Sequence, residues 1–360
     1  MKILVATGAS GGHIFPALAF LETLKEKFPD TEILLVLPKK SIDKYAEVAD
    51  YKTRYISITP INAKFNLQNI IAVFNFLKGS FESLFILVRF QPDIVVGFGS
   101  IVCVPLVLLA WLFRIKTLIH EQNVVPGLAN KVIAAFADRI AISFAKTKEY
   151  LKRYQDKLLL TGNPLRRELV LVEKDKALDF FQFSPDKYTI LVSGGSQGSA
   201  SINKGFLNAI SALSSQFSFQ VIHLTGTNDY QWVKNGYQGL NIASRVFDFL
   251  KDMQYAYSAA DLAVCRAGAI TITELMLFRL PAIICPYPYA YQHQRANAEF
   301  FKSIGPAVIL EDSQLQEGKL TEAIKSIISD PLNFKNMRDI YNIPDSCANE
   351  LLVNAVMPIF

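Results

Sequence analysis

The stretch KILVATGASGGH (residues 2–13) decides the fold of this 360-residue chain. A short apolar run leads directly into a glycine-rich turn, and from Pro16 to Phe28 apolar residues recur at helical spacing. A strand, a tight turn and an amphipathic helix in this order form the first βα unit of a parallel sheet. The same order recurs at EILLVL (32–37), DIVVGF (93–98) and KTLIHE (116–121).

The pattern of strands restarts in the second half of the chain. Further strand candidates stand at TILVSGG (189–195), FQVIHLTG (219–226), DLAVCRAG (261–268) and PAIICPYP (281–288). Alternating strands and helices predict parallel sheets covered on both faces, and the chain exceeds the usual size of one hydrophobic core. We therefore predict an α/β protein of two Rossmann-like parallel-sheet domains that face each other across a cleft.

The joint between the two domains is placed at Gly162-Asn163-Pro164, which interrupts the strand pattern. The N-terminal domain then covers residues 1–162 and the C-terminal domain covers residues 163–336. The segment 337–360 has helical character and either caps the second domain or returns to the first.

Composition narrows the class of protein. Hydrophobic residues make up 51% and charged residues 19%, which suits a packed enzyme and excludes a disordered chain. The net charge of +5 favours anionic partners such as a diphosphate or an acidic membrane surface, and no nucleic acid is predicted as a partner. The N-terminus reads as a strand, the apolar run at 101–113 is too short to span a bilayer, and a cytoplasmic protein is expected. The four cysteines have no zinc-site spacing and are expected to be reduced; they are Cys103, Cys265, Cys285 and Cys347.

Glycine-rich loops follow three of the predicted strands, at residues 8–13, 97–100 and 194–199. Ligands of open parallel sheets bind at the carboxyl ends of the strands, where glycines let backbone N–H groups approach an anion. The spacing is not that of a dinucleotide fingerprint, so no such cofactor is expected. His13 is a candidate general base or hydrogen-bond donor to a phosphate, or else a histidine that only caps a helix start or binds backbone.

Other polar clusters mark further strand ends. Residues 120–123 (HEQN) follow the KTLI strand directly, which predicts a site more than a plain surface loop. Glu274 either accepts hydrogen bonds from ribose hydroxyls or sits as a carboxylate near a helix start. The amides of residues 292–297 suit sugar hydroxyls. No DxD motif occurs, so no metal site is predicted, and helix N-termini, backbone amides and Arg166 are expected to meet the charge of a diphosphate.

Six of these segments, in order, identify a family. GASGGHIFPALA, HEQNVVPGLANK, TGNPLRREL, GGSQGSASINK, CRAGAITITEL and HQRANA resemble the MurG family of bacterial transferases. That family adds N-acetylglucosamine from its UDP donor to lipid I, giving lipid II for peptidoglycan. The resemblance implies a GT-B fold, acceptor contacts mainly in the first domain, donor contacts mainly in the second, and an inverting displacement. No cofactor is implied, because UDP-N-acetylglucosamine is a substrate.

The resemblance also implies roles for residues at matching positions. His13 is the implied base for the acceptor C4 hydroxyl, with Glu121 as a second catalytic candidate. Asn130, Asn203 and Arg266 match polar motif positions without a fixed role. The implied substrate contacts are Ser10, Gly11, Gly12, Asn123, Arg166, Ser196, Leu250 near the uracil, Ala269, Ile270, Thr271, Ile272, Thr273 and Glu274 for the diphosphate and ribose, and Gln294 with Asn297 for the sugar.

The chain departs from the family pattern at three places. The second glycine loop usually reads GFGGY and here reads GFGSI (97–101), followed by Cys103. Gln292 replaces an acid, and Ala9-Ser10 replace threonine and glycine. The first change lies in the loop that the resemblance implies for the lipid-diphosphate acceptor.

A lipid-linked acceptor implies a peripheral enzyme on the cytoplasmic face of the bacterial inner membrane. An apolar stripe, widened by three further apolar residues, predicts an amphipathic helix at 69–90. The stripe is expected to pack on its own sheet, and the further residues are expected to touch an anionic membrane. The stripe is Ile70, Phe74, Leu77, Phe81, Leu84 and Val88, the further residues are Ile71, Phe76 and Phe85, and the nearby cations are Lys64, Lys78 and Arg89. Contacts with other cell-wall synthesis proteins are also expected.

Three alternative functions share the architecture. One is a related transferase that glycosylates diacylglycerol, against which HEQN and GNPLR weigh. Another is a UDP-sugar 2-epimerase, which needs a pair of catalytic carboxylates that the sequence lacks. The last is a non-catalytic lobe that docks a partner at the membrane.

Overall fold

The structure, a computed structural model, describes residues 1–39, 46–59, 67–289, 292–330 and 348–357. The chain divides into two compact units. The first contains Met1–Arg166 and the C-terminal helix, and the second begins at Arg167. The expected domain end at residue 336 lies outside the described residues, as do Lys64 and Cys347.

The first unit is built on a parallel sheet with seven described strands in the order β3-β2-β1-β4-β5-β6-β7. These strands are β1 (Lys2–Thr7), β2 (Glu32–Pro38), β3 (Thr53–Ile56), β4 (Ile94–Phe98), β5 (Lys116–Glu121), β6 (Arg139–Ile142) and β7 (Leu158–Leu160). Its first helices are α1 (Gly11–Lys27), α2 (Leu67–Phe90), α3 (Cys103–Leu112) and α4 (Leu128–Ile133).

The second unit has a parallel sheet with six described strands in the order β10-β9-β8-β11-β12-β13. They are β8 (Tyr188–Ser193), β9 (Phe219–Leu224), β10 (Ala243–Phe247), β11 (Leu262–Cys265), β12 (Ala282–Ile284) and β13 (Ala307–Ile309). The helices are α5 (Lys174–Phe180), α6 (Ala200–Leu213), α7 (Tyr230–Gly236), α8 (Met253–Ala259), α9 (Ala269–Leu277), α10 (His293–Ile304) and α11 (Lys319–Ser329). The predicted class, two parallel-sheet α/β domains, is confirmed.

The strands are apolar on both faces because helices cover both sides of each sheet. In β1, Leu4 packs in a core with residues of α2, α3 and α4, whereas Ile3 and Val5 pack on the other face with α1. This double burial explains why the central strands read as continuous hydrophobic runs and were found from sequence.

The C-terminal helix, α12 (Ala348–Val356), belongs to the first unit. Leu352, Val353 and Val356 are fully buried in the same core as α1. Asn349 also exchanges two hydrogen bonds with the backbone of Leu165, at 2.9 and 3.0 Å. Helix α12 therefore holds in place the segment around Leu165, where the chain leaves the first unit.

Two local expectations were wrong. Helix α1 begins at Gly11, not near Pro16, because Ser10 has N-cap backbone angles and its carbonyl accepts hydrogen bonds from the amides of His13 and Ile14. Five short strands were missed, because each is an edge strand or lacks a continuous apolar run; they are β3, β6, β7, β10 and β13.

The predicted orientation of helix α2 was also wrong. Of the stripe expected to pack inward, all but the half-buried Leu84 face outward. Small residues face the sheet instead: Ala72 and Ser83 are buried, and a β-carbon on Gly79 would lie 2.6 Å from the carbonyl oxygen of Ser57. Close approach of the helix backbone thus decides its orientation and leaves the expected stripe mostly outside. The large residues of α2 that do pack inward are Ile86, Leu87 and Phe90, in its last turns.

Candidate active site

The carboxyl ends of β1, β4 and β5 lie side by side in the first sheet, because β4 pairs with both of the others. Strand order reverses between β1 and β4, which is where open α/β sheets bind ligands. The loops that follow these three strands carry most of the residues predicted for the first unit. They form the candidate site of the first unit.

The start of α1 supplies backbone donors at this edge. Gly11 and Gly12 are the first two residues of the helix, and Ser10 is its N-cap. The Ser10 side chain makes no capping hydrogen bond, and the residue is exposed. The amides of a helix start and its partial positive charge favour an anion at this position.

His13 lies in the first turn of α1 and not in a loop as expected. A β-carbon on Gly99 would lie 3.0 Å from His13 Cε1, and one on Gly8 would lie 3.1 Å from His13 Cδ2. Gly99 also has a φ of +74°, and the following Ser100 has a φ of +71°. Two glycines and a left-handed turn therefore make room for the imidazole between the β1 and β4 loops.

Glu121 is buried at the end of β5, and both of its carboxylate oxygens accept hydrogen bonds. Oε1 accepts from the backbone N–H of Asn123 (2.8 Å) and from Asn123 Nδ2 (3.2 Å). Oε2 accepts from the backbone N–H of Gly127 (2.9 Å) and from Asn130 Nδ2 (2.8 Å). In this arrangement Glu121 holds the loop between β5 and α4, and it positions two of the other predicted site residues.

His120 and Gln122 continue this network toward the end of the first unit. Gln122 Nε2 donates to the carbonyl of Phe98 (3.3 Å) and lies 3.1 Å from His120 Nδ1. His120 Nε2 lies 3.0 Å from the carbonyl oxygen of Gly162. Because the amide donates to Nδ1, Nε2 carries the proton and donates to Gly162. Burial lowers the pKa of His120 to about 4, so this histidine is neutral at physiological pH.

Asn163 and Ser143 complete the network. Ser143 Oγ lies 2.7 Å from Asn163 Oδ1 and 2.8 Å from the carbonyl of Glu121. Asn163 Nδ2 donates to the carbonyl of Gln122 (3.2 Å). A few residues farther along, the Arg166 guanidinium lies over the ring of Phe15, 5.2 Å from its centre, which brings that cation to α1.

In the second unit the loop 194–199 joins β8 to α6, at the point where β8 lies between β9 and β11. Gly195 and Gly198 have φ values of +88° and +76°. Ser196 is exposed at the tip of the loop, and Ser199 is the N-cap of α6. The loop therefore presents a hydroxyl and the start of a 14-residue helix at the carboxyl edge of the sheet.

Arg266 at the end of β11 is committed to other protein groups. Its guanidinium donates to Ser199 Oγ (2.7 Å), Ser201 Oγ (2.8 Å) and the carbonyl of Cys285 (3.0 Å). It also forms a salt bridge with Asp312. Arg266 therefore fixes the start of α6 against β12, and this explains a motif position whose role the sequence left open.

The segment 269–274 forms the first turns of α9, whose N-cap is Gly268. Ala269 and Ile272 are buried, whereas Ile270, Thr271, Thr273 and Glu274 are partly exposed. Thr273 Oγ1 donates to the carbonyl of Ala269 (2.9 Å). The Tyr257 hydroxyl donates to Glu274 Oε2 (2.7 Å), which orients this carboxylate from α8.

The predicted sugar-reading amides bind the backbone of the neighbouring loop. Gln294 Oε1 accepts from the backbone N–H groups of Tyr287 (2.8 Å) and Ala267 (3.3 Å). Asn297 Nδ2 donates to the carbonyl of Ala267 (3.0 Å) and is fully buried. Both side chains thus clamp Ala267, directly before α9. Leu250, also buried, follows β10 at the same edge of the sheet.

Sequence reasoning missed the residues that support the predicted ones. None of these supporting residues lies in a predicted glycine loop or polar cluster, and only their polar character marks them: Ser143, Thr225, His223, Tyr257 and Asp312.

Comparisons with known proteins agree with these motifs. Residues 3–142 match the glycosyltransferase family 28 N-terminal domain, and residues 189–348 match the glycosyltransferase family 28 C-terminal domain. The crystal structure of Acinetobacter baumannii MurG is similar to this chain with a TM-score of 0.77 and 25% identity, covering 99% of each chain.

Curated relatives cover nearly the whole chain. A protein of Thermodesulfovibrio yellowstonii is 39% identical over 340 residues, which is 94% of this chain and 92% of that protein. A protein of Bacillus subtilis is 34% identical over 355 residues, or 97% of each. Both are named UDP-N-acetylglucosamine--N-acetylmuramyl-(pentapeptide) pyrophosphoryl-undecaprenol N-acetylglucosamine transferase. The resemblance found in six motifs is confirmed, and the chain belongs to the MurG family of N-acetylglucosamine transferases within glycosyltransferase family 28.

Proposed function

We propose that this enzyme transfers N-acetylglucosamine from UDP-N-acetylglucosamine to lipid I. The acceptor group is the C4 hydroxyl of N-acetylmuramoyl-pentapeptide on undecaprenyl diphosphate, and the product is lipid II for peptidoglycan. The observation that carries the proposal is 39% identity over 94% of the chain to a transferase of that name. A match over 94% of the chain extends into both units.

The first unit provides the base for the acceptor. As the acceptor oxygen attacks C1 of N-acetylglucosamine, the bond from C1 to the diphosphate breaks and UDP leaves. His13 takes the hydroxyl proton on its imidazole, and a positioned general base of this kind contributes about 10²–10⁴-fold in rate. The network around Glu121 holds Asn123 and Asn130 at the same edge of the sheet.

The second unit provides the donor site. The loop 194–199 and the N-termini of α6 and α9 direct backbone amides at the diphosphate, whose charge increases as the sugar departs. Glu274, oriented by Tyr257, accepts hydrogen bonds from the ribose hydroxyls. Leu250 contacts the uracil, and Gln294 and Asn297 hold the loop beside the sugar.

The test is an acceptor panel with labelled UDP-N-acetylglucosamine. Lipid I carrying a shortened polyprenyl chain, diacylglycerol and a sample without acceptor are compared. Label transferred only to the lipid I analogue is expected. Label on diacylglycerol would favour the related lipid glycosyltransferases, and conversion of the donor sugar without an acceptor would favour an epimerase. Binding of UDP without any turnover would favour a non-catalytic role.

We also propose that the first unit contacts the membrane with helix α2. Within the described residues, Asn69–Phe90 is long and apolar enough to cross a bilayer, by length and composition alone. Only 28% of its most apolar stretch is buried in the protein, so most of that stretch is open to contact with lipid. Phe74 and Phe81 are 67% and 73% exposed. Because the opposite face of α2 is part of the core, lateral and shallow contact is the geometry that fits.

Neighbouring helices extend this apolar surface. Helix α2 packs beside α3, and α3 packs beside α4. Trp111 and Leu112 at the end of α3 are 54% and 64% exposed, and Leu128 at the start of α4 is 78% exposed. A peripheral enzyme on the cytoplasmic face of the inner membrane would reach its lipid-linked acceptor through such a surface.

Cations near α2 give this contact a preference for anionic lipid. A groove of about 570 Å³ runs between α2 and strand β3, and Phe81 and Phe85 line it. Arg54 and Arg89 also line the groove, and among the described residues neither forms a salt bridge. Each basic residue near an anionic surface adds about 1 kcal/mol to binding.

Vesicle sedimentation tests the membrane contact. The double variant Phe74→Ser/Phe81→Ser is expected to lose at least about tenfold in partition to phosphatidylglycerol vesicles, because two large apolar side chains no longer insert. Leu351→Ser is the matched control, since Leu351 is exposed on α12, which covers the opposite face of the sheet. Equal partition of the two variants would contradict the proposal. Contacts with other cell-wall synthesis proteins stay a prediction.

A further inference from the structure

A chain of buried polar side chains crosses the core of the second unit below the loop 194–199. Asn203 and His223 are fully buried, and Tyr237 is 6% exposed. His223 Nδ1 lies 2.8 Å from the Tyr237 hydroxyl, and His223 Nε2 lies 3.1 Å from Asn203 Oδ1. Asn203 Nδ2 donates to the carbonyl of Thr225 (3.0 Å) and to Asp229 Oδ2 (2.8 Å).

The contacts fix the direction of every hydrogen bond in this chain. Asn203 Nδ2 has two acceptors, so Asn203 Oδ1 must accept, and His223 Nε2 therefore carries the proton. His223 Nδ1 then accepts from the Tyr237 hydroxyl. Burial lowers the pKa of His223 to about 3 and raises that of Tyr237, which keeps both groups neutral. Each donor has an acceptor, so the Asn203 amide has one satisfied orientation.

The Asn203 amide holds the carbonyl of Thr225, on which the glycine loop rests. A β-carbon on Gly198 would lie 2.0 Å from the Thr225 carbonyl oxygen, and one on Gly226 would lie 2.5 Å from the carbonyl oxygen of Gln197. The backbones of the two loops are thus in direct contact. A displacement of the Thr225 carbonyl therefore moves the loop 194–199 with it.

Thr225 is also tied to the segment that precedes Leu250. Its backbone N–H donates to the carbonyl of Phe247 (2.9 Å), and its Oγ1 lies 3.2 Å from the same oxygen. Phe247 is the last residue of β10, three residues before Leu250. One residue, Thr225, therefore joins two segments that carry proposed donor contacts.

We infer that His223 is a positioning residue for the nucleotide-sugar site, acting through Asn203 on Thr225 and so on both donor loops. This inference rests on the proposed function, which places UDP at these loops. His223 itself is fully buried and does not touch the substrate. Without His223, Asn203 Oδ1 is a buried acceptor with no donor from that side, and the amide loses the contact that holds it in place against the Thr225 carbonyl.

The test compares His223→Leu with His223→Gln. Leucine removes the donor to Asn203, whereas the glutamine amide nitrogen can take the place of Nε2 and restore it. Tyr237→Phe keeps the histidine and removes only its outer partner. The matched control is Leu178→Ala, a buried residue of α5 outside the cluster that contains His223's neighbours Phe206 and Tyr237. The dissociation constant for UDP, KM for UDP-N-acetylglucosamine, kcat and Tm are measured for each.

We expect His223→Leu to raise the UDP dissociation constant and the donor KM by about tenfold, with kcat within about threefold of wild type, because donor loops are displaced and the base is not. His223→Gln is expected to stay within about threefold of wild type in donor KM, and Tyr237→Phe to lie between the two. Leu178→Ala is expected to lose Tm without losing affinity for UDP.

Three outcomes would overturn the inference. One is unchanged affinity for UDP in His223→Leu, and another is an equal loss in Leu178→Ala at equal loss of Tm, which would indicate general destabilisation. If His223→Leu does not fold, His223→Gln and Tyr237→Phe decide, and wild-type affinity in Tyr237→Phe with failed rescue in His223→Gln would contradict the relay. Failure of the wild type to bind UDP would contradict the proposed function itself, which separates the two cases.

Discussion

Gly198 in the loop 194–199 matters because it has no side chain, which allows close contact with a neighbouring backbone. A β-carbon on Gly198 would overlap the Thr225 carbonyl, whereas one on Gly195 would meet nothing within 4 Å. Both positions have a positive φ, so both variants to alanine incur a conformational cost of about 1–2 kcal/mol. Gly198→Ala is expected to lose UDP binding at least about tenfold more than Gly195→Ala, because only the former displaces a loop. Titration calorimetry with UDP measures this, and equal losses would contradict the packing described for Gly198.

Glu121 tests a second residue-level claim, that its carboxylate organises the loop after β5. Glu121→Gln replaces one acceptor oxygen by a donor, which faces N–H groups and cannot bond to them. We expect a loss of about 1.5–3 kcal/mol in the free energy of unfolding and a drop in kcat/KM, since Asn123 and Asn130 lose their common anchor. Glu149→Gln on the surface of the same unit is the control. If the variant kept its stability but lost kcat more than a hundredfold, Glu121 would be a proton-transfer group instead.

The motifs located the candidate site at this scale but did not give each residue its contacts. Gln294 and Asn297 were expected to bind sugar hydroxyls, and in the structure both form hydrogen bonds with the backbone of Ala267. Arg266 is occupied by serines, a carbonyl and Asp312. Which groups a polar side chain meets depends on elements distant in sequence, and a local pattern does not contain them.

At the scale of elements, helix α2 shows what hydrophobic periodicity can and cannot predict. The apolar residues predicted a helix, and the helix is there. The side that packs inward was wrong, because large residues cover both sides and the small residues Ala72, Gly79 and Ser83 decide how closely the backbone approaches the sheet. The edge strands β3 (TRYI) and β10 (ASRVF) were missed because they mix polar and apolar residues, whereas the prediction relied on continuous apolar runs.

If α2 packs closely against the sheet at Gly79, replacing this glycine by leucine should lower the free energy of unfolding. Leucine at this position gains about 1 kcal/mol in helix propensity, and overpacking against Ser57 costs about 1–3 kcal/mol or more. The steric cost is expected to dominate, with a net loss of about 1–2 kcal/mol in urea unfolding. Lys78→Leu, one residue earlier on the exposed side, is the control and is expected to be near neutral. A stable Gly79→Leu protein would show that α2 does not pack as described.

At the scale of the whole molecule, each unit contains one buried neutral histidine network. Burial lowers the pKa of His120 in the first unit to about 4 and that of His223 in the second to about 3. Unfolding restores the ordinary pKa of about 6.5, so the unfolded chain binds more protons than the folded chain at pH values between these limits. The stability from each histidine is therefore complete above about pH 6.5 and is lost as the pH falls toward the folded-state pKa.

We expect each histidine to lower the free energy of unfolding by about 2 kcal/mol between pH 7 and pH 5. Urea unfolding of wild type and of His223→Gln at both pH values measures the difference. The variant has no titrating group at residue 223, so its second unit should lose about 2 kcal/mol less than that of wild type. Equal pH dependence in the two proteins would mean that His223 is not held neutral in the folded state.

The division into two α/β units and the family could both be predicted from sequence. Repeated βα units and six ordered motifs are local patterns, and they can be recognised without knowing which distant segments are in contact. The return of α12 to the first unit could not, since Leu352 and Val353 show only an apolar face and not which core receives it. The supporting network of His120, Gln122 and Asn163 joins segments about 40 residues apart, as in the bond from Asn163 to Gln122. Such contacts follow from the folded sheet.

The most direct test of the central claim is the structure of the product. Wild-type enzyme is incubated with UDP-N-acetylglucosamine and the lipid I analogue, and the disaccharide is analysed by NMR. We expect a new glycosidic bond to the C4 hydroxyl of N-acetylmuramic acid, with the anomeric configuration inverted from α in the donor to β in the product. A retained configuration, a bond at another hydroxyl, or no disaccharide from protein that binds UDP would contradict it.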